Sequence, residues 1–144
     1  MERANKKNKK IEQVDSAECF EQLSKIPNSF LIDVRTKPEW EFNGVPDLSS
    51  INKKVIFISW LIYPEMEINS HFEKELSKLN IIKNYKLYFI CRSGNRSFEA
   101  ANFLSTINYN YCFNLTDGFE GDKNKMSQRS TINGWKYNKL PWKQ

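Results

Sequence analysis

The chain has 144 residues, 40% hydrophobic and 27% charged, which suits one domain with its own core and excludes a fibrous or wholly disordered chain. The net charge of +5 sits mostly in the opening "MERANKKNKK", which holds five basic residues and one acidic, leaving 17 basic against 16 acidic after residue 10. A phosphate-tracking surface and a nucleic-acid partner are therefore not expected; residues 1–10 read as a flexible basic tail ahead of a single domain over 11–144.

Apolar runs alternate with amphipathic stretches along the chain, which predicts an α/β domain with a mainly parallel central sheet of about five strands flanked by helices. "KIEQV" (10–14) is a weak, edge-strand candidate. After Asp15, residues Cys19, Phe20, Leu23 and Ile26 recur at helical spacing until Pro27. "FLIDV" (30–34) is the first strong strand. "TKPE" (36–39) has the form of a capping box with proline in the first turn, so a short helix runs through Phe42. "VIFI" (55–58) is the next strand, and "SHFE" (70–73) a second capping box, opening a helix with the stripe Phe72, Leu76 and Leu79. "KLYFI" (86–90) and "YCFNL" (111–115) are strands. The helix between them packs through Ala100, Phe103, Leu104 and Ile107, with Glu99, Asn102, Ser105 and Thr106 toward water. Residues 117–142 are polar and turn-rich, an excursion tied to the core by Trp135 and Trp142.

No apolar stretch follows the basic start, so no secretory signal is expected. The longest apolar runs, "VIFI" and "WLIY", fall far short of the ~20 residues that span a bilayer. Three cysteines without a Cys-x-x-Cys spacing argue against a disulfide framework and a structural zinc site. The expectation is a soluble protein of the reducing cytoplasm, with no membrane partner and no metal.

Chemistry concentrates in "CRSGNRS" (91–97). Ligands of parallel sheets sit beyond the carboxyl ends of the strands. Cys91 ends a strand, as Asp33 and Arg35 do in "IDVRT". Gly94 permits a positive φ, which lets consecutive N–H groups turn inward as an anion-binding nest. The helix beginning near Arg96 adds unpaired N–H groups and a positive dipole end. Together these favour a thiolate. Cys19, on a helix's apolar face, and Cys112, inside a strand, read as packing. An inert core cysteine is the competing reading of Cys91, and the flanking Arg92, Gly94, Asn95 and Arg96 weigh against it.

"FLIDVRTKPEWEF", "YFICRSGNRSFEAANFL", "NLTDGF" and Trp135 with "LPW" together resemble the rhodanese-like sulfurtransferase domain across nearly all of residues 10–142. The resemblance implies a three-layer rhodanese-like fold with Cys91 as the sulfur-carrying nucleophile. Arg92, Ser93, Gly94, Asn95, Arg96 and Ser97 would form the substrate-binding loop, and Asp33 and Arg35 would support it. It implies transfer of the thiosulfate sulfurtransferase type through a Cys91 persulfide, from a small anionic donor to a thiol or protein acceptor, with no cofactor. Arg96 and the loop N–H groups would bind the donor's anionic end, and Ser97 would donate to the sulfur or satisfy the first helical turn.

The chain departs from the family pattern twice. "NGVPDL" lacks the histidine of the usual Gly-His-Ile-Pro-Gly stretch, so support for that turn must come from elsewhere. The usual Gly-Gly closely followed by Trp has become "DGFEGDKNKMSQRSTINGW", expected to cover part of the Cys91 loop and to bring Arg129 near it. Three rivals remain. A cysteine phosphatase or arsenate reductase uses a Cys-x5-Arg cradle, one residue longer than Cys91 to Arg96. A noncatalytic rhodanese-like binding module loses its simplest support because Cys91 is present. A Cys-His hydrolase would need His71, the one histidine, which lies at a helix start without a third partner.

Overall fold

A computed structural model describes residues 11–144, so the tail expected at 1–10 lies outside the described residues. In chain order the elements are β1 (Glu12–Val14), α1 (Ser16–Lys25), β2 (Ser29–Asp33), α2 (Lys37–Asn43), β3 (Val45–Pro46), a 3-10 turn (Ser49–Ile51), β4 (Ile56–Phe57), β5 (Leu61–Ile62), β6 (Glu67–Ile68), α3 (Phe72–Ser77), β7 (Lys86–Ile90), α4 (Asn95–Thr106), β8 (Tyr111–Leu115) and β9 (Trp142–Lys143). The central sheet has five strands in the order β1-β8-β7-β2-β4, and every neighbouring pair is parallel. The expected α/β architecture is therefore present, with "KIEQV" supplying an edge strand.

Alternation along the strands divides the core in two. Ile32, Val34, Leu87, Phe89 and Cys91 pack on one side with Phe72 and Leu76 of α3 and Ala100 and Leu104 of α4. Leu31, Tyr88, Ile90 and Leu115 pack on the other with Cys19 and Leu23 of α1, Phe119 and Trp135. Burial on both faces is why these strands read as mostly apolar runs, broken only by residues with polar partners such as Asp33 and Asn114.

The helix ends follow from local chemistry. Asp15 Oδ1 accepts the Glu18 N–H at 2.8 Å and starts α1. Past its end, Lys53 Nζ donates to Ile26 O, Ser29 O and Ser29 Oγ at 2.7, 2.9 and 2.6 Å. The box expected at α2 forms: Glu39 Oε1 accepts from Thr36 N and Thr36 Oγ1 at 3.0 and 2.9 Å. The one expected at 70–73 does not. His71 is the N-cap of α3, its N–H donated to Asn69 Oδ1, and Glu73 accepts from the Tyr109 hydroxyl instead. The helix ends at Ser77, which leaves Leu79 51% exposed and outside the stripe.

The buried face of α4 is also corrected, to Ser97, Ala100, Ala101, Leu104 and Ser105. The helix packs directly on β7 and β8, and small side chains suit that close approach. Phe103 is half out, resting against Trp60 with ring centroids 5.7 Å apart. Ser105 is tolerated inside because its hydroxyl donates to Asn102 O. A short hairpin, β5 with β6, had no sequence signal beyond the apolar run "WLIY".

The C-terminal excursion returns to the domain through Trp135, fully buried, while Trp142 keeps 40% exposure. Trp142 lies in β9, which pairs antiparallel with β3. This strand and Arg35, which donates to Gly44 O at 2.8 Å, hold the turn that lacks the histidine. Gly44 has φ +87, and a Cβ there would lie 2.7 Å from Trp142. No helix among the described residues is long and apolar enough to cross a membrane.

Candidate active site

Cys91 follows the last residue of β7, whose Ile90 carbonyl is fixed by the Val34 N–H at 3.0 Å. The next residues curl back over its side chain. Gly94 adopts φ +112 and ψ −13, which aims its N–H at Cys91 Sγ at 3.1 Å. The Ser97 N–H, in the first turn of α4, reaches the same sulfur at 3.3 Å, and Ser97 Oγ lies 3.2 Å away. Gly94 is required: a Cβ there would stand 2.6 Å from Thr116 O. Cys91 is 1% exposed and packs into the apolar core, while the Gly94 N–H, the Ser97 N–H and Ser97 Oγ reach its sulfur from the loop and α4. Two N–H groups and the start of α4 are aimed at this one atom.

The loop is braced from outside. Asn114 on β8 donates to Gly94 O at 3.1 Å. Phe119 N–H donates to Cys91 O at 2.8 Å, and those of Glu120 and Gly121 to Arg92 O at 3.0 and 3.1 Å. The start of the expanded segment thus covers the loop's backbone, as expected. Arg129 stops one layer short, donating to Gly121 O at 2.6 Å. A polar cleft of about 640 Å³ opens beside the loop between Gln13, Ser93, Asn95 and Thr116.

Arg96, expected to hold the donor's anionic end, instead commits both terminal nitrogens to Glu39, at 2.7 and 2.9 Å. Burial pushes the Glu39 carboxyl up, but the bonds from Arg96 and Thr36 outweigh it and hold the pKa at about 2. Arg96 is drawn down by burial and raised by more through Glu39, with smaller help from Cys91 and Asp33. The sequence reading used Glu39 only as a helix cap and passed over Asn114. The signal available for Glu39 was its place on the helix directly after "IDVR".

Asp33 and Arg35 are both fully buried and paired, Arg35 Nε to Asp33 Oδ1 at 3.0 Å and NH2 to Oδ2 at 2.8 Å. The Arg35 guanidinium lies 4.3 Å above the Phe119 ring. Both residues alternate with Ile32 and Val34, which share the side of Cys91. They brace the floor from the opposite side of the sheet and do not meet the sulfur. Arg92 and Asn95 are exposed and Ser93 half-buried. Cys19 and Cys112 lie in the core, and His71 takes no part in the ring around Cys91. Among the described residues no cluster of His, Cys, Asp and Glu is arranged to hold a metal.

The model of the rhodanese-like domain matches residues 16–125. Uncharacterized proteins of Rickettsia conorii (RC0915) and Rickettsia prowazekii (RP600) are each 41% identical over 133 residues, 92% of this chain and 97% of theirs. The crystal structure of Rv0390 from M. tuberculosis superposes with a TM-score of 0.84 at 34% identity, covering 94% of this chain and 99% of that one. The polysulfide-sulfur transferase homodimer of Wolinella succinogenes has the same fold, with a TM-score of 0.67 at 18% identity, covering 99% of this chain and 84% of that one. With a cysteine loop at the end of a parallel strand and a family match over most of its length, this chain belongs to the rhodanese-like domain family.

Proposed function

We propose that the protein is a sulfurtransferase that carries sulfane sulfur on Cys91, taking it from a small anionic donor such as thiosulfate and passing it to a thiol or protein acceptor. The observation that carries this reading is the convergence of the Gly94 and Ser97 N–H groups on Cys91 Sγ, at 3.1 and 3.3 Å. Such donors stabilise a thiolate nucleophile without participating in bond changes. The thiolate attacks the outer sulfur of thiosulfate, the donor's S–S bond breaks, and sulfite departs with the electron pair. Cys91 then bears a persulfide with its charge on the terminal sulfur. A second nucleophile takes that sulfur and returns the thiolate. Exposed Arg92, at the mouth of the loop, attracts the anionic donor. Polysulfide-sulfur transfer, the activity in the name of the Wolinella relative, belongs to the same reaction class.

A phosphatase reading is weaker on two counts. The ring from Cys91 to Arg96 is one residue short, and the arginine fork that would hold a phosphoryl group is engaged by Glu39. Steady-state assays with thiosulfate and cyanide test the proposal. Parallel double-reciprocal lines, equimolar sulfite and thiocyanate, and loss of both in Cys91→Ser are expected. Hydrolysis of an aryl phosphate without thiocyanate formation would overturn it.

A further inference from the structure

Asn114, 3% exposed on β8, is linked to the sulfur through Ser97. Its side-chain amide has one workable orientation. The Gly94 carbonyl only accepts, so the Asn114 nitrogen must face it, at 3.1 Å, and the same nitrogen donates to Gln13 Oε1 at 2.9 Å. The Asn114 oxygen therefore faces Ser97 and takes its hydroxyl proton. Ser97 has one such proton and two neighbours able to receive it, Asn114 Oδ1 and Cys91 Sγ.

With Cys91 protonated, every group is satisfied: the thiol donates to Ser97 Oγ, and Ser97 donates to Asn114. With a bare thiolate, one bond is lost. Either Ser97 turns to the sulfur and strands a buried amide oxygen, or it stays and presents a lone pair to the anion. A persulfide likewise has no proton to give Ser97, but its charge moves to the terminal sulfur, so Sγ no longer competes with Asn114 for the Ser97 proton.

We propose that Asn114 is a positioning residue for Cys91: by holding the Ser97 hydroxyl proton it disfavours the bare thiolate relative both to the thiol and to the sulfur-loaded form. The inference rests on Cys91 being the sulfur carrier, and its test uses no sulfur donor, so the two fail separately. Charge around the sulfur comes from Arg92 and Arg96, from Glu39 on α2 and from the Asp33 and Arg35 pair on β2, and all five stay in every variant.

The experiment follows iodoacetamide alkylation of Cys91 against pH in the full chain, in Asn114→Leu, in Ser97→Ala and in the double variant, with Cys19 and Cys112 replaced by alanine throughout. Asn114→Leu frees the hydroxyl for the sulfur and is expected to lower the midpoint by roughly one pH unit. In the Ser97→Ala background the same substitution is expected to change nothing. Gln13→Leu, which keeps the Asn114 oxygen in place, is expected to leave the midpoint where it is. Should the leucine variant not fold by circular dichroism, Asn114→Ala is read in the same way. An unmoved or raised midpoint overturns the inference. An equal shift with and without Ser97 also overturns it, and assigns the effect to the Gly94 brace. If the alkylation pattern holds but thiosulfate yields no thiocyanate, the transferase reading fails and the coupling among Asn114, Ser97 and Cys91 stands.

Discussion

Arg96 and Glu39, 57 positions apart in the chain, meet in two parallel hydrogen bonds of 2.7 and 2.9 Å. The pair joins the first turn of α4 to the first turn of α2 and so fixes the Cys91 loop against the helix that follows β2. Glu39→Gln keeps the shape and removes the charge, leaving Arg96 with an unmatched positive charge. We expect a loss of about 1–3 kcal/mol in denaturant unfolding and at least about tenfold in kcat/KM for thiosulfate. Arg96→Lys is not expected to rescue the loop, because a single ammonium cannot hold both carboxylate oxygens.

The same pair sets an acid limit. Glu39 is held at about 2 against an ordinary value of 4.5. A lowered carboxyl stabilises the fold above its unfolded value, and that contribution disappears as pH falls from there through the folded value. On the order of 2 kcal/mol is expected to be lost between pH 4.5 and about 2, after allowance for solvent screening. Urea midpoints taken across this window are expected to fall steeply for the native chain and more gently for Glu39→Gln. Parallel curves would remove Glu39 from the acid transition.

Gly94→Ala tests the loop itself. The substitution meets both a positive φ and the Thr116 carbonyl at 2.6 Å, so the backbone must shift and the N–H now directed at the sulfur must move with it. Sulfur transfer is expected to drop by about 100-fold or more, a size known for the loss of one preorganised donor. Wild-type turnover with an intact far-ultraviolet spectrum would contradict the role given to this N–H.

Asp33 and Arg35 pair with each other in the core and brace the fold from the face of β2 opposite Cys91. Asp33→Asn leaves Arg35 buried with an unmatched charge and is expected to cost about 3–5 kcal/mol. The apolar pair Asp33→Leu with Arg35→Met is expected to recover part of that loss in thermal unfolding, since neither variant residue leaves a buried charge. It will not recover the Gly44 contact, so its activity is expected to stay below that of the native chain.

The strands at 86–90 and 111–115 were legible to the residue, because strands buried on both faces give mostly apolar runs bounded by turns, with Asn114 the one polar interruption of the second. The failures came where a tertiary partner overrode a local pattern. "SHFE" has the form of a capping box, but Tyr109, distant in sequence, takes Glu73. Apolar periodicity put Phe103 inside α4 and Ser105 outside, whereas close packing on β7 and β8 selects small side chains. The cysteine loop was legible because its conformation is local: one glycine, one strand end, one helix start. Glu39 and Asn114 reach it from other segments; the place of Glu39 directly after "IDVR" hints at its approach, and nothing local in the sequence hints at that of Asn114.

The most direct measurement is intact-mass and peptide mass spectrometry of the full chain after incubation with thiosulfate. The account predicts one added sulfur atom, located on Cys91, removed by cyanide or dithiothreitol and missing in Cys91→Ser. An unchanged mass, or a sulfur carried by Cys19 or Cys112 while Cys91 stays bare, would contradict it.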